Sequence, residues 1–361
     1  MQLCLDLTHH PWSGGGGAAA VERTRALARA ADAAGIDAIW VSEDLDGWDA
    51  FALLGALAGV TTRATLGSGV TSPYVRHPNL LAASVATLDR LSGGRAALGL
   101  GRGQPEWLRG RLGVDVGSPL AVLEETITLL RDWWAAPHCA TSPEAGSHFG
   151  VRDLERSVHP VQDQPPIYLA AAGCRALALA GRVADGVIFN ALTSDAFLAT
   201  AIPAVREAAM AAGRDASVLS FILRTPALVT DDPGPMLERH KTQIALINTL
   251  PGMDRLLVLP GIDMSGIIAE VRRRMRTEET LAAGGAFAEL RRGGDLAAAR
   301  AAIPDEVVAR LAIAGPAESV RARLRTLIDL GVTHLSVGAP GHDEAPEGIA
   351  ATLGELRTLL P

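Results

Sequence analysis

Cysteine is scarce in this chain: Cys4, Cys139 and Cys174 are the only three in 361 residues. They are odd in number and far apart, which argues against a disulfide framework and for a reducing compartment. An excess of positive charge is also missing. The chain has 33 Lys and Arg against 40 Asp and Glu, a formal net charge of −7. With no basic tail, nucleic acid and anionic membranes are poor partners. No apolar run is long enough to span a bilayer. The first residues, Met1-Gln2-Leu3-Cys4-Leu5-Asp6-Leu7, show no charged segment ahead of an apolar stretch, so no signal peptide is expected. The chain reads as soluble and cytoplasmic. A metal set is lacking as well, since His342-Asp343-Glu344 falls in a Gly/Pro loop and reads as a solvated turn.

What is present is apolar sequence in short pieces. The composition is 48% hydrophobic, ample for a sizeable core. Eight brief runs stand out: Leu3–Leu7, Ala38–Val41, Ala64–Val70, Ala96–Leu100, Ile167–Ala171, Gly186–Phe189, Val218–Leu223 and Leu335–Val337. Their uniform apolarity predicts parallel strands buried on both faces. Between them lie amphipathic stretches with recognisable ends. Val21–Ala34 stops at Gly35, Asp49 is placed to cap Ala50–Ala58, and Pro78 opens a helix after His77. Leu120–Trp134, Arg175–Val183, Phe197–Ala212 and Ala317–Leu330 complete the set. Eight strand–helix alternations predict an α/β fold of the (β/α)8 barrel type rather than an open sheet.

Such a barrel takes about 250 residues, so the chain, read as one domain, carries insertions. One is Ala135–Pro166. The larger is Thr230–Ile313, mostly helical in pattern. The run Arg272-Arg273-Arg274-Met275-Arg276 within it reads as a solvated helix face, the alternative being a clamp for an anionic tail. Gly14-Gly15-Gly16-Gly17 reads as a flexible first βα loop.

Leu98-Gly99-Leu100-Gly101-Arg102-Gly103 invites comparison with a phosphate loop. A dinucleotide fingerprint needs G-x-G-x-x-G. Counted from Gly99 the sixth residue is Gln104, and from Gly101 it is Glu106, so both registers fail. No G-x-x-x-x-G-K-[ST] occurs either. Pro105 is placed to begin a helix that Gly110 and Gly113 would interrupt. The glycines fit a strand end where backbone approaches a flat ligand, at the barrel face that carries active sites.

The stretch Leu66–Gly103, "LGSGVTSPYVRHPNLLAASVATLDRLSGGRAALGLGRG", resembles the bacterial luciferase-like superfamily. It looks most like the branch of methylenetetrahydromethanopterin reductases and other oxidoreductases that use the deazaflavin coenzyme F420. Pro165–Asn190, Ile303–Val320 and "AIWVSED" (Ala38–Asp44) agree. The resemblance implies a barrel holding a flavin or deazaflavin at the C-terminal ends of its strands, and a homodimer. It implies a non-prolyl cis peptide at Gly69-Val70, in a bulge behind the ring, flanked by Ser68 and Thr71. Gly99, Gly101, Arg102 and Gly103 would then let the fourth strand pass close to the ring. The cofactor phosphate would lie on backbone N–H groups of Ala171, Ala172, Gly173, Cys174 and Arg175, at a helix N-terminus.

Two positions depart from that branch. Where it usually shows Asp-His after strand two, this chain has Glu43-Asp44, and where it often has Gln after strand five, this chain has Ala172. Glu43 and Asp44 are candidate cofactor contacts or proton donors, with a capping acid before Asp49 as the plain alternative. His10, with His9, follows strand one on the same face and is a candidate for the missing histidine's task. Trp12, Trp48 and Trp107 fall in loops on that face, whereas Trp133 and Trp134 read as packing. The expected function is F420-dependent hydride transfer to or from a small organic substrate. The alternatives are an FMN-dependent monooxygenase and a non-catalytic binder of a flavin-like ligand.

Overall fold

The computed structural model describes residues 1–7, 18–43, 47–143, 147–338 and 345–360. The first two-thirds of the chain runs β1 (Gln2–Asp6), α1 (Ala18–Ala33), β2 (Ala38–Val41), α2 (Ala50–Ala58), β3 (Thr65–Thr71), α3 (Pro78–Ser92), β4 (Ala96–Leu100), α4 (Pro105–Leu112), α5 (Pro119–Trp134), β5 (Cys139–Ala140), β6 (Leu154–Glu155), β7 (Ile167–Ala170), α6 (Cys174–Val183), β8 (Gly186–Phe189), α7 (Asp195–Ala211), β9 (Ser220–Arg224) and β10 (Ala227–Val229). Six helices follow: α8 (Gly234–Gln243), α9 (Met264–Met275), α10 (Thr277–Ala282), α11 (Phe287–Gly293), α12 (Leu296–Ala301) and α13 (Asp305–Leu311). The chain then returns through β11 (Ile313–Gly315), α14 (Ala317–Asp329), β12 (His334–Gly338) and α15 (Pro346–Leu359).

Eight strands close a parallel barrel in the order β1-β12-β9-β8-β7-β4-β3-β2. Closure pairs the first barrel strand with the last, Leu3 opposite Leu335 and Leu5 opposite Val337. Those leucines and valines face outward into a core shared with the helices. The inward positions carry a different set: Cys4, Ala38, Trp40, Ala97, Ile188 and Ile222, with Val70 and Tyr168 against them. Trp40 and Tyr168 meet edge to face, ring centroids 5.7 Å apart, and fill the middle of the barrel. Gly67 must be glycine because a Cβ there would overlap the Trp40 ring. Burial pushes the Cys4 thiol up to about 12, so it packs as an apolar residue and is no nucleophile at neutral pH.

Several local expectations hold residue by residue. The Asp49 carboxylate accepts from the Ala52 N–H at 2.8 Å and caps α2. His77 Nδ1 accepts from the Asn79 N–H at 3.2 Å and caps α3. Trp133 and Trp134 are buried packing residues. Others do not hold. Helix α4 runs through Gly110 and ends in a left-handed Gly113, where the sequence suggested an interruption. Glycine is required at 110 for another reason: a Cβ would stand 2.5 Å from the Cα of Gly284, so the helix presses directly on the large insertion. The short ladder β5–β6, the strands β10 and β11, and α15 are additions to the expected set.

The large insertion is helical, as expected, and has a hydrophobic core of its own, built on Met236, Ile244, Leu257, Ile268, Val271, Met275 and Val307. Its two ends leave the barrel side by side, because β10 and β11 pair in parallel from Ala227–Ile313 to Val229–Gly315. The basic run on α9 is largely spent in local ion pairs: Arg273 and Arg274 on Glu270, and Arg276 on Glu279. Among the described residues no helix is long and apolar enough to cross a membrane.

Candidate active site

In a (β/α)8 barrel the chemistry sits at the C-terminal ends of the strands. Here that end is shaped by an irregularity in β3. Its pairing with β4 slips between Ser68 and Thr71, and the Gly69-Val70 peptide is cis. Val70 is thereby raised onto the floor of the barrel mouth, half-exposed, beside the exposed Ala170.

The glycines of β4 answer to this bulge. A Cβ on Gly99 would collide with the Ser68 carbonyl oxygen, and one on Gly101 would lie 2.8 Å from Val70 Cγ2. They make room for the bulge, which leaves Val70 half-exposed. Gly103, in left-handed backbone at φ 68°, turns the chain out of the mouth.

Ser68 was expected near a cofactor. It is fully buried, its hydroxyl donating to the Gly99 carbonyl at 3.0 Å and accepting from the Gly99 N–H at 3.1 Å. It ties β3 to β4 and has no surface for a ligand. Thr71 is buried too, and its hydroxyl donates to Glu43.

Glu43 is tied to the loop after β3. Its carboxylate takes Arg76 Nε at 2.7 and 2.8 Å and Arg76 Nη2 at 2.6 Å. Its backbone N–H donates to the Val70 carbonyl at 3.2 Å. Arg76 in turn reaches Asp49 and lies over the Phe51 ring, 5.0 Å from its centroid. The hydrogen bonds it donates to Glu43 hold the Arg76 guanidinium more firmly charged than usual, against the opposing effect of burial. Engaged by a cation on both carboxylate oxygens, Glu43 buttresses the bulge. Asp44 and His10, with His9 and Trp12, lie outside the described residues.

One charged pair was not legible in the sequence. Arg224, at the end of β9, donates through Nε to Asp6 of β1 at 2.6 Å and through Nη1 to the Gly69 carbonyl at 3.1 Å. Its signal is only a lone Arg and a lone Asp closing two apolar strands far apart in sequence.

The expected phosphate turn lies on one side of the mouth. Gly173 caps α6, Ala171 is buried, Ala172 is half-buried, and Cys174 and Arg175 are exposed. A turn of the insertion closes over it: a Cβ on Gly173 would stand 3.1 Å from Arg255 Nη1, and one on Gly252 would stand 3.8 Å from Arg102 Nη2. The Asp254 carboxylate shapes this turn by accepting from the Gly252 and Arg255 N–H groups at 3.0 and 3.1 Å. Arg272 pins it through Asp254 at 3.0 Å and the Thr249 carbonyl at 2.6 Å. Asn248 Nδ2 donates to the Ala191 carbonyl just past β8, at 2.7 Å. Among the described residues Arg102, Arg175 and Arg255 make no ion pair; Arg255 stands at Gly173, Arg102 at Gly252, and the exposed Arg175 in the first turn of α6. Also among the described residues, no group of three or more His, Cys, Asp or Glu is placed to hold a metal ion.

A closed barrel, a bulged third strand and a basic margin at the sixth helix define a class. The chain belongs to the luciferase-like monooxygenase family, whose model matches residues 1–334; it is an oxidoreductase. Among individual proteins, it is 29% identical over 315 residues to a 5,10-methylenetetrahydromethanopterin reductase of Methanolobus tindarius, covering 87% of this chain and 89% of that one. It is 27% identical over 329 residues to an F420-dependent glucose-6-phosphate dehydrogenase of Kineococcus radiotolerans, covering 87% and 86%. The solved structure of the coenzyme F420-dependent tetrahydromethanopterin reductase of Methanopyrus kandleri shares the fold, with a TM-score of 0.77 and 22% identity over 97% of each chain.

Proposed function

We propose that the protein binds coenzyme F420 in the barrel mouth and moves hydride between C5 of the deazaflavin and a carbon of a small organic substrate. The observation that carries this reading is the pairing of a flat, half-exposed apolar platform, Val70 and Ala170, with an unneutralised arginine border at Arg102, Arg175 and Arg255. The platform suits a planar ring. The border and the α6 N-terminus suit a tail of phosphate and carboxylates. The named relatives include F420-dependent enzymes, which supports the same cofactor here.

When bound, the cofactor supplies hydride chemistry. The chain's own residues position and enclose it. Val70 would back the ring and Arg102 and Arg255 would hold the tail, while Glu43, paired with Arg76, holds the Val70 carbonyl. We assign proton donation to the substrate to Asp44 and His10, which follow β2 and β1 in the sequence. The three free cysteines suit a reducing cytoplasm.

We also propose a homodimer. Helix α2, AFALLGALA, is apolar on every side, and a helix of that kind is normally covered. Beside it α3 exposes Leu80 and Leu91 at 50% and 61%. A second copy of this chain is the natural cover for that face.

The first test is titration of the purified protein with F420 and, separately, FMN, followed by tryptophan fluorescence. Micromolar or tighter preference for F420 supports the proposal. Preference for FMN moves the protein to flavin-dependent oxygen chemistry, and binding of neither overturns the reading.

A further inference from the structure

The chain leaves β8 through Asn190-Ala191-Leu192-Thr193-Ser194. Both ends of this loop serve the barrel. Asn190 follows the strand, and Ser194 caps α7 by accepting from the Phe197 N–H at 3.3 Å. The middle serves the insertion. Leu192 is fully buried and, among the described residues, is the one buried member of the insertion's core that lies outside residues 230–313. Its backbone is left-handed, at φ 61°. A leucine, with no polar side-chain atom to bond locally, holds that conformation only where its surroundings enforce it.

Those surroundings are a row of contacts from the same loop. Asn248 Nδ2 donates to the Ala191 carbonyl at 2.7 Å, the Ser194 N–H to the Leu256 carbonyl at 2.9 Å, and the Val258 N–H to Ser194 Oγ at 3.2 Å. Asn190 Nδ2 lies 3.8 Å from Met253 Sδ. Asn248 closes a single turn of π-helix, Ile244–Asn248, a widened turn often found at functional positions. The segment pinned in this way, from Asn248 to Val258, contains the turn beside the α6 N-terminus, with Gly252 next to Arg102 and Arg255 next to Gly173.

Sealing the insertion's core does not require this arrangement. Glycine or asparagine would make the turn with less strain, and the insertion supplies apolar residues of its own. What a leucine adds here is registration: it fixes how far the turn stands from the barrel mouth.

We propose that Leu192 and Asn248 are positioning residues that hold the Gly252–Arg255 turn at the spacing an anionic cofactor tail needs; this rests on the reading that F420 occupies the mouth. Arg255 meets the tail, and Leu192 and Asn248 act through it. The ring, over Val70 and Ala170, does not depend on that turn. A merely structural residue makes no such distinction between tail and ring.

The experiment compares wild type, Leu192→Ala, Leu192→Gly and Leu192→Met. Dissociation constants are measured for F420 and for its ring-and-ribityl fragment, which lacks the phosphodiester and the carboxylates. Thermal melting follows folding, and amide hydrogen exchange of the unliganded proteins compares residues 249–258 with α9 and α12. Leu192→Ala is expected to weaken F420 about tenfold, the loss of one contact to a charged group, and to leave the fragment unchanged. Leu192→Gly, free of the backbone strain, is expected to melt no lower than Leu192→Ala and to lose F420 affinity by the same factor. Leu192→Met is expected to stay near wild type for both ligands. Exchange is expected to quicken in 249–258 of the two truncated variants and not in α9 or α12. The proposal is overturned if both ligands weaken equally, if F420 affinity is unchanged in folded protein, or if exchange quickens throughout the insertion. Should neither truncation fold, Asn248→Ala, which removes the bond to Ala191 and keeps Leu192, decides by the same ratio. Wild type that does not bind F420 overturns the reading of the mouth and this proposal with it, a result seen before any variant is made.

Discussion

Glu43 and Arg76 form a bidentate ion pair at the edge of the barrel mouth, with 10% and 11% of their side chains exposed. The carboxylate that sequence position marks as an acid is the anchor of the loop after β3. Removing one partner of so shielded a pair strands the other charge, which costs about 3 kcal/mol or more. Glu43→Gln is expected to lower the unfolding free energy from urea titration by that order, and Glu43→Gln with Arg76→Met to recover part of the loss. A double variant no better than the single one would show that the cost lies elsewhere, for example in the Glu43 bond to Thr71.

The two strand-four glycines are expected to separate by severity. Gly99→Ala meets backbone, the Ser68 carbonyl, and should fail to fold or lose several kcal/mol. Gly101→Ala meets only the Val70 side chain. It should fold, lose cofactor affinity, and regain packing when combined with Val70→Ala. Thermal melting of the three proteins checks this, and equal damage from both glycine changes would contradict it.

Loss of the arginine border should discriminate between cofactors. F420 ends in a phosphodiester and carboxylates, whereas FMN ends in one phosphate. Arg102→Gln and Arg255→Gln are each expected to weaken F420 about tenfold and FMN less, an effect that fades as salt rises. Equal losses for both cofactors would place the tail elsewhere.

His334 lies at the N-terminal end of β12, far from the chemistry, and burial pushes it down to about 4. Asp37 opposes that shift and the chain's terminal amine adds to it. Thr333 Oγ1 lies 2.7 Å from Nδ1. The folded value is below the unfolded value of about 6.5, so the unfolded chain binds the proton first. The stability this neutral ring confers is full above about pH 6.5 and is lost as pH falls toward 4. His334→Gln should therefore gain on wild type steadily across that window. Parallel denaturation curves at pH 7 and 4.5 test it, and a constant gap between the proteins would refute it.

The proposed dimer makes a simple demand. Leu91→Arg, placed on the exposed side of α3, should halve the sedimenting mass while leaving the far-ultraviolet spectrum unchanged. A wild-type monomer would refute the proposal.

The fold was largely legible because strands buried on both faces must be apolar throughout, so β2, β4 and β8 appear in the sequence with their observed bounds. The bulge was legible only through resemblance, on "GSGV". The buttressing contact of Glu43 was not legible, because a buttress and a proton donor look alike at a strand end. What separates them is Arg76, 33 residues on, whose direction no periodicity reveals. Asp6 and Arg224 are 218 residues apart and meet only because the barrel closes. Gly110 looked like a helix breaker until Gly284 supplied the surface it must clear.

The pairing of β10 with β11 has an architectural consequence. Departure and return of the large insertion are neighbouring rungs of one ladder, and the inserted helices carry a core separate from the barrel's. A segment attached at two adjacent points is a cassette. Its replacement by another of different length leaves the eight-stranded closure intact, since no barrel strand is contributed from within it.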